Sequence, residues 1–234
     1  ALFARPGVSQ PAHAVDLSQR GHGTHMAGIM VGGNNSGVQI GAAPAAEMIA
    51  AGMLNVGNPG SFLCALIAID WMLDEYRSVN AINLSFGCRT EPTAEERQYM
   101  ESLVQRAIFQ DVLFVAAIAN NPHGGSYPAS CANILAAGAL DADDTIWSSS
   151  GDSPDLALPG VQVYSCVPAG LPACGGQSYG YKTGTSCAAA HLSGLVALLM
   201  QAEPRASAEL VMRAILETAS PVSSSERSGR GVPD

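Results

Sequence analysis

Between residues 47 and 117 the chain alternates short apolar runs with longer stretches whose apolar side chains recur every three or four positions. Residues 47–54 are the first such run and predict a buried strand. Residues 61–76 then place Phe62, Leu66, Ile69, Met72 and Leu73 on one helical face. The pattern repeats: 81–84 predict a strand, 93–110 a helix opened by the cap signal Thr93-Ala94-Glu95-Glu96, and 112–117 another strand. Strands and helices in such alternation bury their apolar faces when the strands run parallel and helices cover both sides of the sheet. The expected fold class is therefore α/β, with a mostly parallel central sheet and helices on both faces.

The flanking regions fit that plan. Residues 21–31 read as a helix. After Asn120 the texture changes to Gly, Pro and Ser turns with short strands at 134–140, 156–158 and 162–165. An Ala- and Leu-rich helix follows at 186–201 and an amphipathic one at 206–219. Residues 1–20 are polar, Pro-bearing and aperiodic, which predicts a loop or arm. No linker separates two cores, so residues 21–234 are expected to form one domain.

Composition removes several classes of function. A net charge of -9 leaves no basic footprint, so neither nucleic acid nor an acidic membrane surface is an expected partner. Charged residues are 13% of the chain, about half the usual share, so much of the surface must be buried. The most apolar stretch, 192–200, is broken by Ser193 and Gly194 and is too short to span a bilayer, so the chain reads as soluble. It starts at Ala1 with no leader segment in view, which points to an N-terminus that has been cut away. The six cysteines form no CxxC pair and no zinc-type cluster with histidine. Cys166 and Cys174 flank a short loop that a disulfide could close; the alternative is a set of buried thiols.

Two segments carry chemistry. Gly21-His22-Gly23-Thr24-His25-Met26-Ala27-Gly28 sets a histidine between glycines at a helix start, and Gly184-Thr185-Ser186-Cys187-Ala188-Ala189-Ala190-His191 opens a core helix with a serine. Taken alone, such a serine is an N-cap and such a histidine is structural. Yet backbone N–H groups and the positive end of the dipole at a helix N-terminus favour a developing anion. A serine facing a histidine there sits where an acyl-transfer nucleophile belongs.

Together the two segments resemble the subtilisin-like serine peptidases, the subtilases, in which the His motif precedes the Ser motif within one α/β domain. Further matches follow in family order: Asn34-Asn35-Ser36, Gly41-Ala42-Ala43-Pro44, Ala81-Ile82-Asn83-Leu84-Ser85-Phe86-Gly87, Val115-Ala116-Ala117-Ile118-Ala119-Asn120, Tyr127-Pro128-Ala129 and Leu158-Pro159-Gly160. The resemblance runs from about residue 20 to the C-terminus. It implies the three-layer subtilisin-like fold and cleavage of peptide bonds by acyl transfer, with a peptide or protein as substrate and an extracellular setting. It also implies that His22 is the general base, Ser186 the nucleophile and Asn120 the side-chain donor to the oxyanion. Ser85, Phe86 and Gly87 would line the cleft and pair with an extended substrate as an added strand. His25 and His191 are expected to be structural, and His13 and His123 fall in loops. No cofactor is required. The family often holds a structural calcium ion near the loop matched by residues 34–38, where Asn35 and backbone carbonyls could supply half a ligand set; the alternative is a plain Asn-Asn-Ser-Gly turn.

Three departures qualify the match. The family's catalytic Asp sits on a strand tens of residues before the His, in an Asp-Ser/Thr-Gly motif, whereas here 21 residues precede His22 and Asp16 is the only acid among them. Asp16 matches a family loop, not the catalytic strand. The 21–234 domain is thus expected to lack the Asp-bearing strand. An upstream segment or second chain then supplies it, or the protein binds peptides without cutting them. Ala190 stands where the family has Pro, and Ala119 where it has Gly. The N–H restored at Ala190 can relax the packing behind Ser186 and favour aminolysis. That leaves a peptide-maturation transpeptidase or macrocyclase, of the kind found in cyanobactin biosynthesis, as an alternative to the endopeptidase.

Overall fold

All residues of Leu113–Ala117 are buried, as a strand enclosed on both faces must be. The computed structural model describes residue 16 and residues 21–52, 62–76, 78–88, 90–123, 127–170, 177–222 and 226–234. Within them this strand, β4, lies in a parallel sheet with β3 (Ala81–Leu84), β5 (Ile134–Leu140) and β6 (Leu156–Pro159), in the order β3-β4-β5-β6. The pairing is in register throughout, with Asn83 opposite Val115 and Val115 opposite Leu135.

Alternate side chains along these strands enter two separate cores. Ile82, Leu84, Phe114, Ala116, Ile134 and Ala136 face helices α2 (Phe62–Glu75) and α3 (Ala94–Phe109). Leu113, Val115, Leu135, Ala137 and Leu156 face α4 (Thr185–Ala202) and α5 (Ala208–Thr218). The three-layer arrangement predicted from alternation is present. The capping signal at α3 is also used: Glu96 N–H donates to Thr93 Oγ1 at 3.2 Å, and Thr93 N–H donates back to Glu96 Oε2 at 2.9 Å. Among the described residues α4 is the one helix long and apolar enough to cross a membrane. Its packing against the sheet and against α1 (His22–Val31) accounts for that apolarity.

The strand expected at 47–54 is not formed. Residues 47–52 are irregular, and Met48 and Ile49 are 44% and 36% exposed; residues 53 and 54 lie outside the described residues. An apolar run becomes a strand only when its backbone meets a neighbour's ladder, and residues 47–52 pair with none of the described strands. The strand expected at 162–165 is present as β7 (Val163–Cys166), but its antiparallel partner β8 (Tyr179–Lys182) and the short pair β1 (Asn34–Asn35) with β2 (Val38–Gln39) were not legible from the pattern. The expected arm at 1–20, apart from Asp16, and Cys174 of the proposed disulfide lie outside the described residues.

Candidate active site

The carboxyl ends of β3 and β4 converge on the N-termini of α1 and α4, the edge of a parallel sheet where open α/β folds place their ligands. Ser186 is the second residue of α4. Its Oγ donates to the Ser85 carbonyl at 3.2 Å, while Ser85 Oγ donates to the Ser186 carbonyl at 2.9 Å. These two bonds fasten residues 85–87 to one flank of the serine. Phe86 turns into the core shared by α2 and α3, and Gly87 is exposed.

Ser186 is not the N-cap of α4. That position belongs to Gly184, and the cap comes from outside the helix: Thr185 N–H and Thr185 Oγ1 both donate to Asn120 Oδ1, at 2.9 and 3.0 Å. With Oδ1 occupied in this way, the amide keeps its Nδ2 hydrogens to donate elsewhere. A Cβ on Gly184 would stand 3.2 Å from Asn120 Nδ2 and 3.4 Å from Oδ1, so glycine makes room for the amide to dock.

His22 begins α1, after Gly21 in the left-handed conformation at φ 66°. The N-terminus of α1 also borrows its cap, because Thr24 N–H and Thr24 Oγ1 donate to Asp16 Oδ2 at 2.6 and 2.7 Å. Asp16 thus serves as a helix-capping carboxylate for Thr24. The His22 imidazole titrates below its ordinary range because burial disfavours its cation, Lys182 repels it, and Asp16 only partly opposes both. It is neutral, the form a base needs, at neutral pH. His22, Asn120, Lys182, Gly184, Ser186 and Cys187 line one cavity of about 570 Å³.

The two other departures have structural consequences. α4 runs unbroken through Ala190, which is fully buried in a cluster with Met26 and Ile29 of α1. Ala119 adopts φ 143°, a conformation natural to glycine, directly before Asn120. Such a residue stores about 1–3 kcal/mol, while glycine's freer unfolded chain returns about 0.5–1 kcal/mol of the relief. Ala119→Gly should therefore stabilise the fold by about 1 kcal/mol, raising Tm by about 2–4 °C in a chain of this size. A lowered Tm in calorimetry would show that the strain is absent.

His25 is fully buried and clamps the β7–β8 pair to α1. Its Nε2 lies 3.1 Å from the Val163 carbonyl and 3.2 Å from the Gly180 carbonyl, while Nδ1 has no partner among the described residues. This assigns the proton to Nε2. Burial drives the imidazole down to about 4 from the usual 6.5, and burial also lowers His191, whose Nδ1 lies 3.0 Å from the Pro159 carbonyl. Between those two values the unfolded chain takes up protons that the folded one refuses. Stability is thus full above about pH 6.5 and falls as the pH drops towards 4, by about 3 kcal/mol from His25. Urea midpoints at pH 7.5 and 4 should differ accordingly, and equal midpoints would contradict a buried neutral His25.

The 34–38 loop, where the family resemblance implies a calcium site, is closed by its own side chains. Gly37 N–H donates to Asn34 Oδ1 at 2.8 Å, and Asn35 Nδ2 lies 3.5 Å from the Tyr164 hydroxyl. The first contact fits an Asx-type turn and the second ties it to β7; among the described residues no cluster of three or more His, Cys, Asp or Glu surrounds it.

Comparison with known proteins extends these observations. A sequence model described as the subtilase family matches residues 5–231. The chain is 34% identical over 235 residues to subtilisin Savinase of Lederbergia lenta, covering 99% of this chain and 82% of that protein. It is 34% identical over 235 residues to an alkaline protease of Shouchella clausii, and 30% identical over 240 residues to subtilisin E of Bacillus subtilis (strain 168). Each alignment covers 99% of this chain, which spans 58% and 59% of those two longer relatives. Among solved structures, sphericase superposes with a TM-score of 0.75 at 24% identity, over 91% of this chain and 74% of that one, a likeness of fold.

Proposed function

This chain belongs to the subtilase family of serine peptidases, and from that premise we propose that it is an endopeptidase using Ser186 as nucleophile, His22 as general base and Asn120 as oxyanion donor. The observation that carries the reading is the shared cavity on which all three side chains open. Ser Oγ attacks poorly until a base removes its proton, and a neutral imidazole can do so once the hydroxyl swings from the Ser85 carbonyl towards His22. The tetrahedral oxygen then needs donors already in place. Asn120 Nδ2, fixed by the Thr185 bonds, and the N–H groups opening α4 meet that need. Residues 85–87 hold the acyl side of the substrate as an added strand.

The acid of the triad is the weak point. Asp16 is engaged by Thr24, and among the described residues no strand pairs with the outer edge of β3. We read that edge as the place where a strand bearing the acid is added, from the same polypeptide or a second chain. Losing the acid's orientation of the imidazole costs about 10⁴ in kcat, so the 234-residue chain alone should be slow. A fluorophosphonate probe tests the reading: it should attach to Ser186, slowly for the chain alone and faster when the complementing strand is supplied. Absence of labelling under both conditions would leave a peptide-binding pseudoprotease.

A further inference from the structure

We propose that Lys182 is a specificity residue that selects substrates carrying a carboxylate on the segment leaving from the scissile bond. The inference rests on the reading of Ser186 and His22 given above, and it begins from the position of the two flanks of Ser186. One flank is closed by residues 85–87, through the paired bonds between Ser85 and Ser186. On the other lies the 570 Å³ cavity, whose lining includes His22, Lys182 and Ser186 but none of residues 85–87. In acyl transfer the base that takes the serine proton returns it to the departing amine, so the leaving segment lies on the histidine's side. That segment must pass through the cavity that His22 shares with Lys182.

Among the described residues Lys182 is the one Lys or Arg lining that cavity, and its charge is felt at the His22 imidazole. It is also the only lysine in the 234 residues; the chain's other basic side chains are arginines. The ammonium, half-buried at the end of β8, adds a positive charge to the cavity wall in a protein of net charge -9, with the Asp16 carboxylate also within reach of His22. The complementary ligand is a carboxylate, because a compact point charge of this kind pairs with one without needing a planar fork. Two sources share that chemistry: an Asp or Glu side chain just after the scissile bond, and the free α-carboxylate of a leaving group one residue long. A Lys or Arg at the same place is disfavoured by repulsion.

The test measures binding, so it does not depend on turnover. Fluorescent peptides spanning the site, with a reduced, uncleavable bond at the scissile position, carry Glu, Gln or Lys immediately after it, each with an amidated C-terminus. A second set ends one residue after that bond, as free acid or amide. Fluorescence polarisation with the wild-type chain should show Glu, or the free acid in the short set, binding about tenfold tighter than Gln or the amide, with Lys weakest. Which set shows the preference identifies the carboxylate's source. Lys182→Met should remove the preference, Lys182→Arg should retain most of it, and Lys182→Glu should invert it towards the Lys peptide. Tm values within about 2 °C of wild type would exclude misfolding as the cause. Equal affinities for Glu, Gln and amide or acid forms in the wild type would overturn the proposal, as would a Glu preference that survives in Lys182→Met. If fluorophosphonate fails to label Ser186 while a Lys182-dependent preference for carboxylate persists, the peptidase reading fails and the carboxylate site stands.

Discussion

Ser186→Ala should reduce peptide hydrolysis to the level supported by the oxyanion donors alone while leaving the fold almost unchanged. In a subtilisin, loss of the nucleophile costs about 10⁶ in kcat. On the proposal that the acid-bearing strand must be supplied, about 10⁴ of that is absent from the chain alone, so about 10² remains for the substitution to remove. The accompanying loss of stability should be small. Ser186 does not cap α4, since Asn120 and Gly184 fill that role, and the substitution deletes only its bond to the Ser85 carbonyl. Urea denaturation beside a steady-state assay separates the two effects. A substantial loss of stability with turnover intact would mark Ser186 as structural.

Asn120 should give an equally large effect, and its two bonds to Thr185 allow the structural and chemical contributions to be separated. Asn120→Ala deletes both the cap on α4 and the oxyanion donor. It should cost about 1 kcal/mol of stability and, as removal of such a donor does in a subtilisin, about 10²–10³ in kcat. Asn120→Asp keeps an oxygen for Thr185 but replaces the donor with a negative charge facing the oxyanion. It should retain nearly full stability and lose at least as much kcat, with KM little changed, because the interaction strengthens only as charge develops. A variant that raised KM with kcat intact would make Asn120 a binding residue.

The fold was legible where local pattern and tertiary demand agreed. The capping box of α3, the fully apolar β4 and the apolar start of α4 each announce one conformation, and each adopts it. Residues 47–52 mislead for a physical reason: an apolar run specifies burial, but a strand also needs a neighbour's hydrogen bonds. β8 was hidden because Tyr179, Gly180, Tyr181 and Lys182 form too short and too polar a run, and it exists by pairing with β7 and by the clamp of His25. In the site, the family resemblance pointed to His22, Asn120 and Ser186, and the three line one cavity. The motifs could not show that Asn120 caps α4 from 65 residues away, or that Asp16 caps α1 through Thr24 from a segment with no pattern of its own. Nor could they single out Lys182, whose significance lies in the company it keeps. A lone lysine is visible in the sequence, but not its place beside His22. The strain at Ala119 was foreshadowed by an alanine standing where the resembling family has glycine, and its φ of 143° supplies the reason for that glycine.

The central claim is acyl transfer through Ser186 with His22 as base, and a burst experiment addresses it most directly. Mixing the chain with excess of a peptide p-nitrophenyl ester and following nitrophenolate release should give a burst of at most one equivalent. Mass spectrometry of the quenched protein should place the acyl group on Ser186. The neighbouring Cys187 is the built-in control, because burial pushes its thiol up to about 12 and holds it protonated at neutral pH. An adduct on Ser186 is expected, absent from Ser186→Ala and formed far more slowly in His22→Ala. An adduct on Cys187, or a burst unchanged by either substitution, would contradict that assignment.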